Sequence, residues 1–401
     1  VENSHFRYGS LIVQSVDDVN GQARFDNVQI RRNIIENAYS VSSHSQGIYT
    51  STLHPGYLLL EENVFDHNGW NEEFRFVLYA PNSDLNQWRT IADGRLGIEI
   101  DRQVYNLAGL NFTAAPSMEH VAGIIQTAIN SQIGLANAVE FKWSPAGHVF
   151  YLQSTILPSN GYYRVLAYSG ATAGTDLHSA QWLNSASQGA PEATVFNRNM
   201  YLSHGYGNTT VRGNIDANGA SGGVQLRMGG TVTDNLFLRD PLALTFGHPE
   251  NPGGSTVGGV ISRNVVLGSR DISDQPRGIA ISLGSHATTS GGLGSSLIQN
   301  VIVSDNVVAH NELGTGNIVG LSLVGTGAHN NVDIHGNTVY DWARPVWPNP
   351  QDTRACGLSL SAAAQSTNVT VRSNSFQQPN GGFAACAAAA SRSVSLVDNY
   401  Y

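Results

Sequence analysis

The stretch VIVSDNVV, residues 301–308, decides the fold. Val301 and Val303 alternate with Ile302, so the two valines share one face of a strand. Asn306 then turns the chain, and Val308 opens another inward-facing strand. The phrase is apolar, any, apolar, two of any kind, Asn, any, apolar. It recurs as VQIRRNII around Asn33, YLLLEENVF around Asn63, TTVRGNI around Asn214 and GTVTDNLF around Asn235. It continues as GVISRNVV at Asn264, VDIHGNTV at Asn337, VTVRSNSF at Asn374 and VSLVDNYY at Asn399. Nine copies, mostly spaced by roughly 20 to 40 residues, mark a solenoid. Asn fits such a corner because it tolerates the left-handed region and its amide can bond the next turn. Stacked coils would line these amides into a ladder.

A second phrase is Gly followed by alternating apolar residues. It reads GIYT at Gly47, GVQLRMG at Gly223, GIAISLG at Gly278, GLSLVG at Gly320 and GLSLSA at Gly357, with PLALTFG at Pro241 in the same slot. It supplies a third strand per coil. The composition agrees: 43 glycines and only 13% charged residues favour strands and tight turns over helices.

This organisation resembles the pectate-lyase-like, right-handed parallel β-helix superfamily over about residues 1–73 and 192–401. The resemblance implies an all-β fold with carbohydrate lying across the sheet of Gly-led strands. The repeat fails over residues 74–191, which reads as an inserted α+β domain. Deleting it would join HNGWNE (His67–Glu72) to EATVFNRNMYL (Glu192–Leu202) as one ordinary coil. Inside it, RLGIEIDRQVYNLAGLNF alternates like a hairpin, and VEFKWSPAGHVFYLQS forms a second one turning at Pro145–Gly147. Between them Ser117 caps a helix over Met118–Asn130, with Val121, Ile124, Ile125, Ala128 and Ile129 on one face. The phrases TIADGRLGIEID, LAGLNF, MEHVAGIIQTAI and GTDL resemble a small domain of phage tail-sheath-like and tail-fibre proteins. That implies phage ancestry and a role in attachment or assembly.

The formal net charge of −9, without a Lys/Arg stripe, argues against nucleic-acid binding. No apolar run reaches the ~18 residues of a membrane-spanning helix. The chain opens on Val1, without Met or a signal-like segment, which reads as a processed or trimmed form. A secreted, extracellular or virion-associated location is expected, as is a homotrimer or a tail-assembly partner. Cys356 and Cys386 are one repeat apart and are read equally as a bridge or as two small buried thiols.

Alternation predicts which side chains face out of the Gly-led sheet. Tyr49 and Ser51 face out of the first coils, Gln225 and Arg227 out of GVQLRM, and Ala243 and Thr245 out of PLALTF. Asn197, Asn199 and Tyr201 face out of FNRNMYL, leaving Phe196, Met200 and Leu202 for the core and His204 just beyond. Arg198 falls on the inward parity; the polysaccharide-active bacterial β-helix proteins that this segment resembles often carry His there. Later coils offer only Ala280, Ser282, Ser322 and Ser359.

This face lacks paired carboxylates, which a glycosidase needs about 5–10 Å apart. Asp66, Glu72, Asp240 and Glu250 lie in turns or flanks. A polysaccharide lyase needs instead a cation to neutralise the uronate carboxylate, a base and an acid. Arg227, Tyr201, His204, His67 and Asn199 are the candidate catalytic residues for such a β-elimination. Tyr49, Asn71, Asn197, Gln225, Thr245 and His248 are the candidate substrate contacts, and Trp70 is expected under a loop or against sugar. No metal motif is visible; calcium stays open, since loop ligands could come together in the fold. A tailspike-type hydrolase and a non-catalytic glycan-binding tail protein are the competing readings.

Overall fold

The computed structural model describes residues 1–14, 27–38, 44–51, 56–69, 76–79, 82–100, 103–133, 139–145, 148–154, 163–170, 173–179, 181–183, 196–203, 208–248, 255–269, 277–285, 296–311, 317–343, 355–360, 366–387 and 394–401. The chain divides into two compact units. One comprises residues 1–70, 194–271 and 275–401; the other comprises residues 71–193 with 272–274.

The first unit is a parallel β-helix with three sheets of nine strands each. Sheet A holds the strands that precede each Asn, from Asn27–Arg31 to Val394–Val397. Sheet B holds three-residue strands that follow it, from His5–Arg7 to Ser375–Gln377. Sheet C holds the Gly-led strands, from Leu11–Gln14 to Phe383–Ala387. Alternation sends Leu60, Val211, Val232 and Ile261 of sheet A, and Phe65, Phe237 and Val266 of sheet B, into one continuous core.

All nine repeat asparagines stand in one ladder at the A–B corner. Asn33 accepts from Ser4 N–H; each later one takes bonds from the backbone N–H and side-chain amide of the Asn before it, as Asn235 gives Asn264 Oδ1 bonds of 3.1 and 2.9 Å. Its own amide returns to a sheet A carbonyl, as Asn264 does to Val232 O at 2.9 Å. The left-handed residue, however, is the one before the Asn. Arg32, Glu62, Asp234, Arg263, Asp305, Ser373 and Asp398 take φ between 50 and 60°, and Gly213 and Gly336 fill the same slot. The corner thus splits the two tasks assigned to Asn: its neighbour turns the chain, and its amide binds the coils. A second left-handed corner follows sheet B, at Tyr8, Asn37, His67, Asn218, Arg239, His310 and Asp341.

Glycine leads the sheet C strands because that column looks inside. A Cβ on Gly320 would lie 2.6 Å from Val339 Cγ1, and one on Gly357 3.4 Å from Phe376, both in the sheet B core row. Ala243 and Ala280 share this column and are buried in the core, which corrects their outward placement. Phe196, read as core, is 47% exposed. No disulfide joins Cys356 and Cys386; the register sets Cys356 opposite Phe383 and Cys386 opposite Ser359.

The second unit has its own core around Trp88, Phe112, Ile125, Phe141 and Phe150. The hairpins appear as Gly94–Ile100 with Gln103–Leu110, and Val139–Ser144 with Val149–Ser154. The helix runs Met118–Ile133, its start held by a bond from His120 N–H to Ser117 Oγ. Val121, Ile125 and Ile129 are buried, with Ile124 and Ala128 packed against them. The structure adds the strands Phe76–Tyr79, Tyr163–Leu166 and Thr175–Asp176, and a short helix, Leu85–Trp88, capped by Asp84.

Candidate functional site

The outer face of sheet C carries one row of side chains in register. It runs Ile12, Tyr49, Tyr201, Gln225, Thr245, Ser282, Ser322, Ser359 and Cys386. The large groups gather at its start. Tyr49 and Tyr201 stack with centroids 5.5 Å apart and planes 16° from parallel. The Arg227 guanidinium lies 5.0 Å over the Tyr201 ring and donates from Nη1 to His248 O. A cation over an aromatic face is attracted to the ring quadrupole. His248 takes the left-handed conformation, φ 54°. Its ring rests on Gly284, where a Cβ would come 1.8 Å from Nε2. Tyr49, Arg227 and His248 are partly exposed, whereas Tyr201 is 9% and Gln225 and Thr245 each 5% exposed. The accessible surface is therefore Tyr49, Arg227 and His248, with Tyr201 as their support.

Asn199 and Asn197, placed in the groove by alternation, are not in it. Asn199 is fully buried at the B–C corner, in the inward-looking column. Its Oδ1 accepts from Asn68 N–H and Nδ2, at 3.2 and 2.9 Å. Its Nδ2 donates to Asp216 Oδ1 and to Ala217 O. The physical reason is Gly219. A Cβ there would sit 2.8 Å from Asp240 Oδ1 and 3.0 Å from Asn199 Nδ2. Gly219 brings no side chain to this corner, and the Asn199 amide reaches in to occupy it. Asn197 is held in the same way, accepting from Ser45 N–H and donating to Gly69 O. Arg198 is buried, opposite Gln46.

Two acids missed as core residues complete this corner. Asp216 takes the inward position of sheet B between Phe65 and Phe237. Asp240 accepts from Gly219 N–H at 2.7 Å. Both are fully buried, and Asp216 Oδ2 and Asp240 Oδ2 have no partner among the described residues. Burial pushes both carboxyls well above the ordinary range, and for Asp240 the charge of Asp216 adds to it. Sequence alternation did contain the signal, since IDA places Asp216 on the inward parity of its strand.

His67 occupies the left-handed corner after Val64–Asp66, not sheet C. Its Nδ1 lies 2.9 Å from Asp66 Oδ1, which also accepts from Asn218 Nδ2 at 2.8 Å. Burial raises the Asp66 carboxyl, but the bonds from His67 and Asn218 outweigh it and hold it below its usual value. His204, Asn71 and Trp70 lie outside the described residues. One feature escaped the sequence reading: His44 and Phe196 stack at 4.6 Å and 11°, and both are exposed. Each lies two residues before its strand, His44 before Gln46–Ser51 and Phe196 before Arg198–Leu202. Among the described residues no group of three or more His, Cys, Asp or Glu side chains could hold a metal ion. No described helix is long and apolar enough to cross a membrane.

Fold and site together define a three-sheet parallel β-helix with an aromatic and cationic patch on one sheet and a separately folded α+β insert. Residues 78–189 match the family model of the insert domain of the E217 tail sheath protein gp31. The insert is thus related to a phage tail domain. No curated protein matches the chain.

Proposed function

We propose that the outer face of sheet C binds an acidic, uronate-containing polysaccharide and cleaves it by β-elimination. The observation that carries this reading is Arg227, fixed over Tyr201 beside the partly exposed Tyr49. A guanidinium so held is ready to grip a sugar carboxylate with two parallel bonds. Tyr49, and further along the stacked His44 and Phe196, offer flat surfaces to sugar rings. Neutralising the carboxylate acidifies the adjacent C5 proton. Tyr201 or His248 takes that proton, the C4–O bond breaks, C4 and C5 become doubly bonded, and a second group protonates the leaving oxygen. His204 remains a candidate for that second group.

A hydrolase needs two carboxylates at the substrate, and two of the four candidate acids are engaged elsewhere. Asp240 is sealed in the corner, Asp66 is tied to His67 and Asn218, and Glu72 and Glu250 lie outside the described residues. A non-catalytic glycan-binding tail protein keeps support from one observation, the match of the insert to a tail sheath domain. That match also favours a virion-associated setting, in which a trimer or other tail assembly would be formed.

A lyase leaves an unsaturated sugar absorbing near ~235 nm, as follows from the C4–C5 double bond set by the elimination. We expect that absorbance to rise with a uronate polymer, and Arg227→Ala to abolish it. Silence across a panel of uronate polymers would overturn β-elimination; binding without loss of viscosity would favour the second reading.

A further inference from the structure

Strand Val139–Ser144 is an edge strand of its three-stranded sheet in the insert. Among the described residues no strand covers its outer edge, which begins with an unusual partner. Gln126, on the helix Met118–Ile133, donates from Nε2 to Val139 O at 2.9 Å and accepts from Phe141 N–H with Oε1. One side-chain amide thus satisfies one backbone acceptor and one backbone donor, as the N–H and C=O of one residue of a neighbouring parallel strand would. In a strand the N–H and C=O of one residue point to the same side. Phe141 C=O and Trp143 N–H and C=O therefore share this edge. Among the described residues, none pairs with them.

Beside this edge runs a groove of about 670 Å³, lined by Ala122, Gly123, Gln126, Phe141, Lys142 and Trp143. A Cβ on Gly123 would meet nothing within 4 Å, so the helix wall is open there. Exposed edges with unsatisfied backbone groups are templates for strand pairing. Lys142, which faces solvent on this edge, is bound to Glu140 at 2.7 Å, leaving that pair neutral.

We propose that this groove receives an extended polypeptide segment of a partner protein, added as a strand beside Val139–Ser144. Its peptide groups continue the ladder that the Gln126 amide begins, at Phe141 C=O and Trp143 N–H and C=O. Backbone complementarity supplies the affinity in this mode, and alternate side chains entering the groove supply selectivity. The proposal concerns the insert and does not rest on the reading of sheet C.

The test is hydrogen exchange on the full chain, with a synthetic Thr-Val repeat octapeptide ending in lysines as probe. A control peptide with proline at alternate positions lacks half the donors. We expect the probe, and not the control, to slow exchange of the Trp143 amide at least tenfold. Gly123→Leu fills the groove and should weaken probe binding tenfold or more, while Gly123→Ala leaves it close to wild type. Leu and Ala are both better helix formers than Gly, so neither variant threatens the helix. Unchanged exchange at Trp143, or equal binding of the proline control, would overturn the proposal. So would protection at Trp143 that rises with protein concentration without peptide, since it would assign the edge to a second copy of this chain.

Discussion

Asp216 and Asp240 are the residues whose chemistry is least like their surroundings. An acid between Phe65 and Phe237 in a core row stays neutral far above the usual carboxyl pKa because burial penalises its charge. In the unfolded chain both titrate near ~4. The folded state therefore binds more protons than the unfolded state above that pH. The contribution to stability is complete below about pH 4 and is lost as pH rises through the folded value. Asp240→Asn keeps the acceptor for Gly219 N–H and removes the titration. Thermal melts from pH 5 to 8 should show the variant gaining on wild type as pH rises. His329, held low by its burial, acts in the opposite sense but equally in both proteins. A difference independent of pH would contradict the account. Asn199 carries a related lesson. Strand alternation assigned it correctly to the parity of Tyr201, but not the inward turn of that column at the corner. That turn is imposed by close packing of sheet C on sheet B, which no local pattern encodes.

At the scale of elements, the Asn ladder is what sequence displays best. Its period survives loops of varied length because each coil must present the same amide to the next. Asn264→Ala would remove a 2.9 Å bond to Val232 O and one of 2.9 Å to Asn306 Oδ1. It would also strand the N–H of Asn235 and take one bond from its amide, which keeps Val211 O and Thr233 O. Unsatisfied buried groups cost about 1–3 kcal/mol each. We expect a loss of about 3 kcal/mol, read from the denaturant midpoint; a loss below about 1 kcal/mol would show that water replaces the amide. What the repeat hid was the division of labour at the corner, because Asn is chemically fit for both tasks. In the insert, the amphipathic helix and both hairpins were legible from period. The helix Leu85–Trp88 was not, since four residues are too few to display a period.

On the scale of the whole molecule, two cores that share no residue coexist in one chain. Removing residues 71–193 should leave the β-helix folded, with an unfolding midpoint within a few degrees of the full chain. Shortening a connection changes loop-closure free energy by only about 0.6 kcal/mol per halving. Circular dichroism of the deleted chain checks this, and a loss of cooperative unfolding would contradict it. The same deletion separates functions: polymer binding should stay with the β-helix, and strand addition should leave with the insert.

On the proposed reading, the sheet C face selects the carboxylate of a uronate through Arg227. That selection is tested by titrating the full chain with one uronate polymer before and after chemical reduction of its carboxylates to alcohols. A charge-assisted bond is worth about 1.5–3 kcal/mol. The native polymer should therefore bind roughly 10- to 100-fold more tightly than the reduced one. Arg227→Met should erase that difference while leaving the weaker binding in place. Equal affinity for both polymers, or a preference that survives Arg227→Met, would contradict the account.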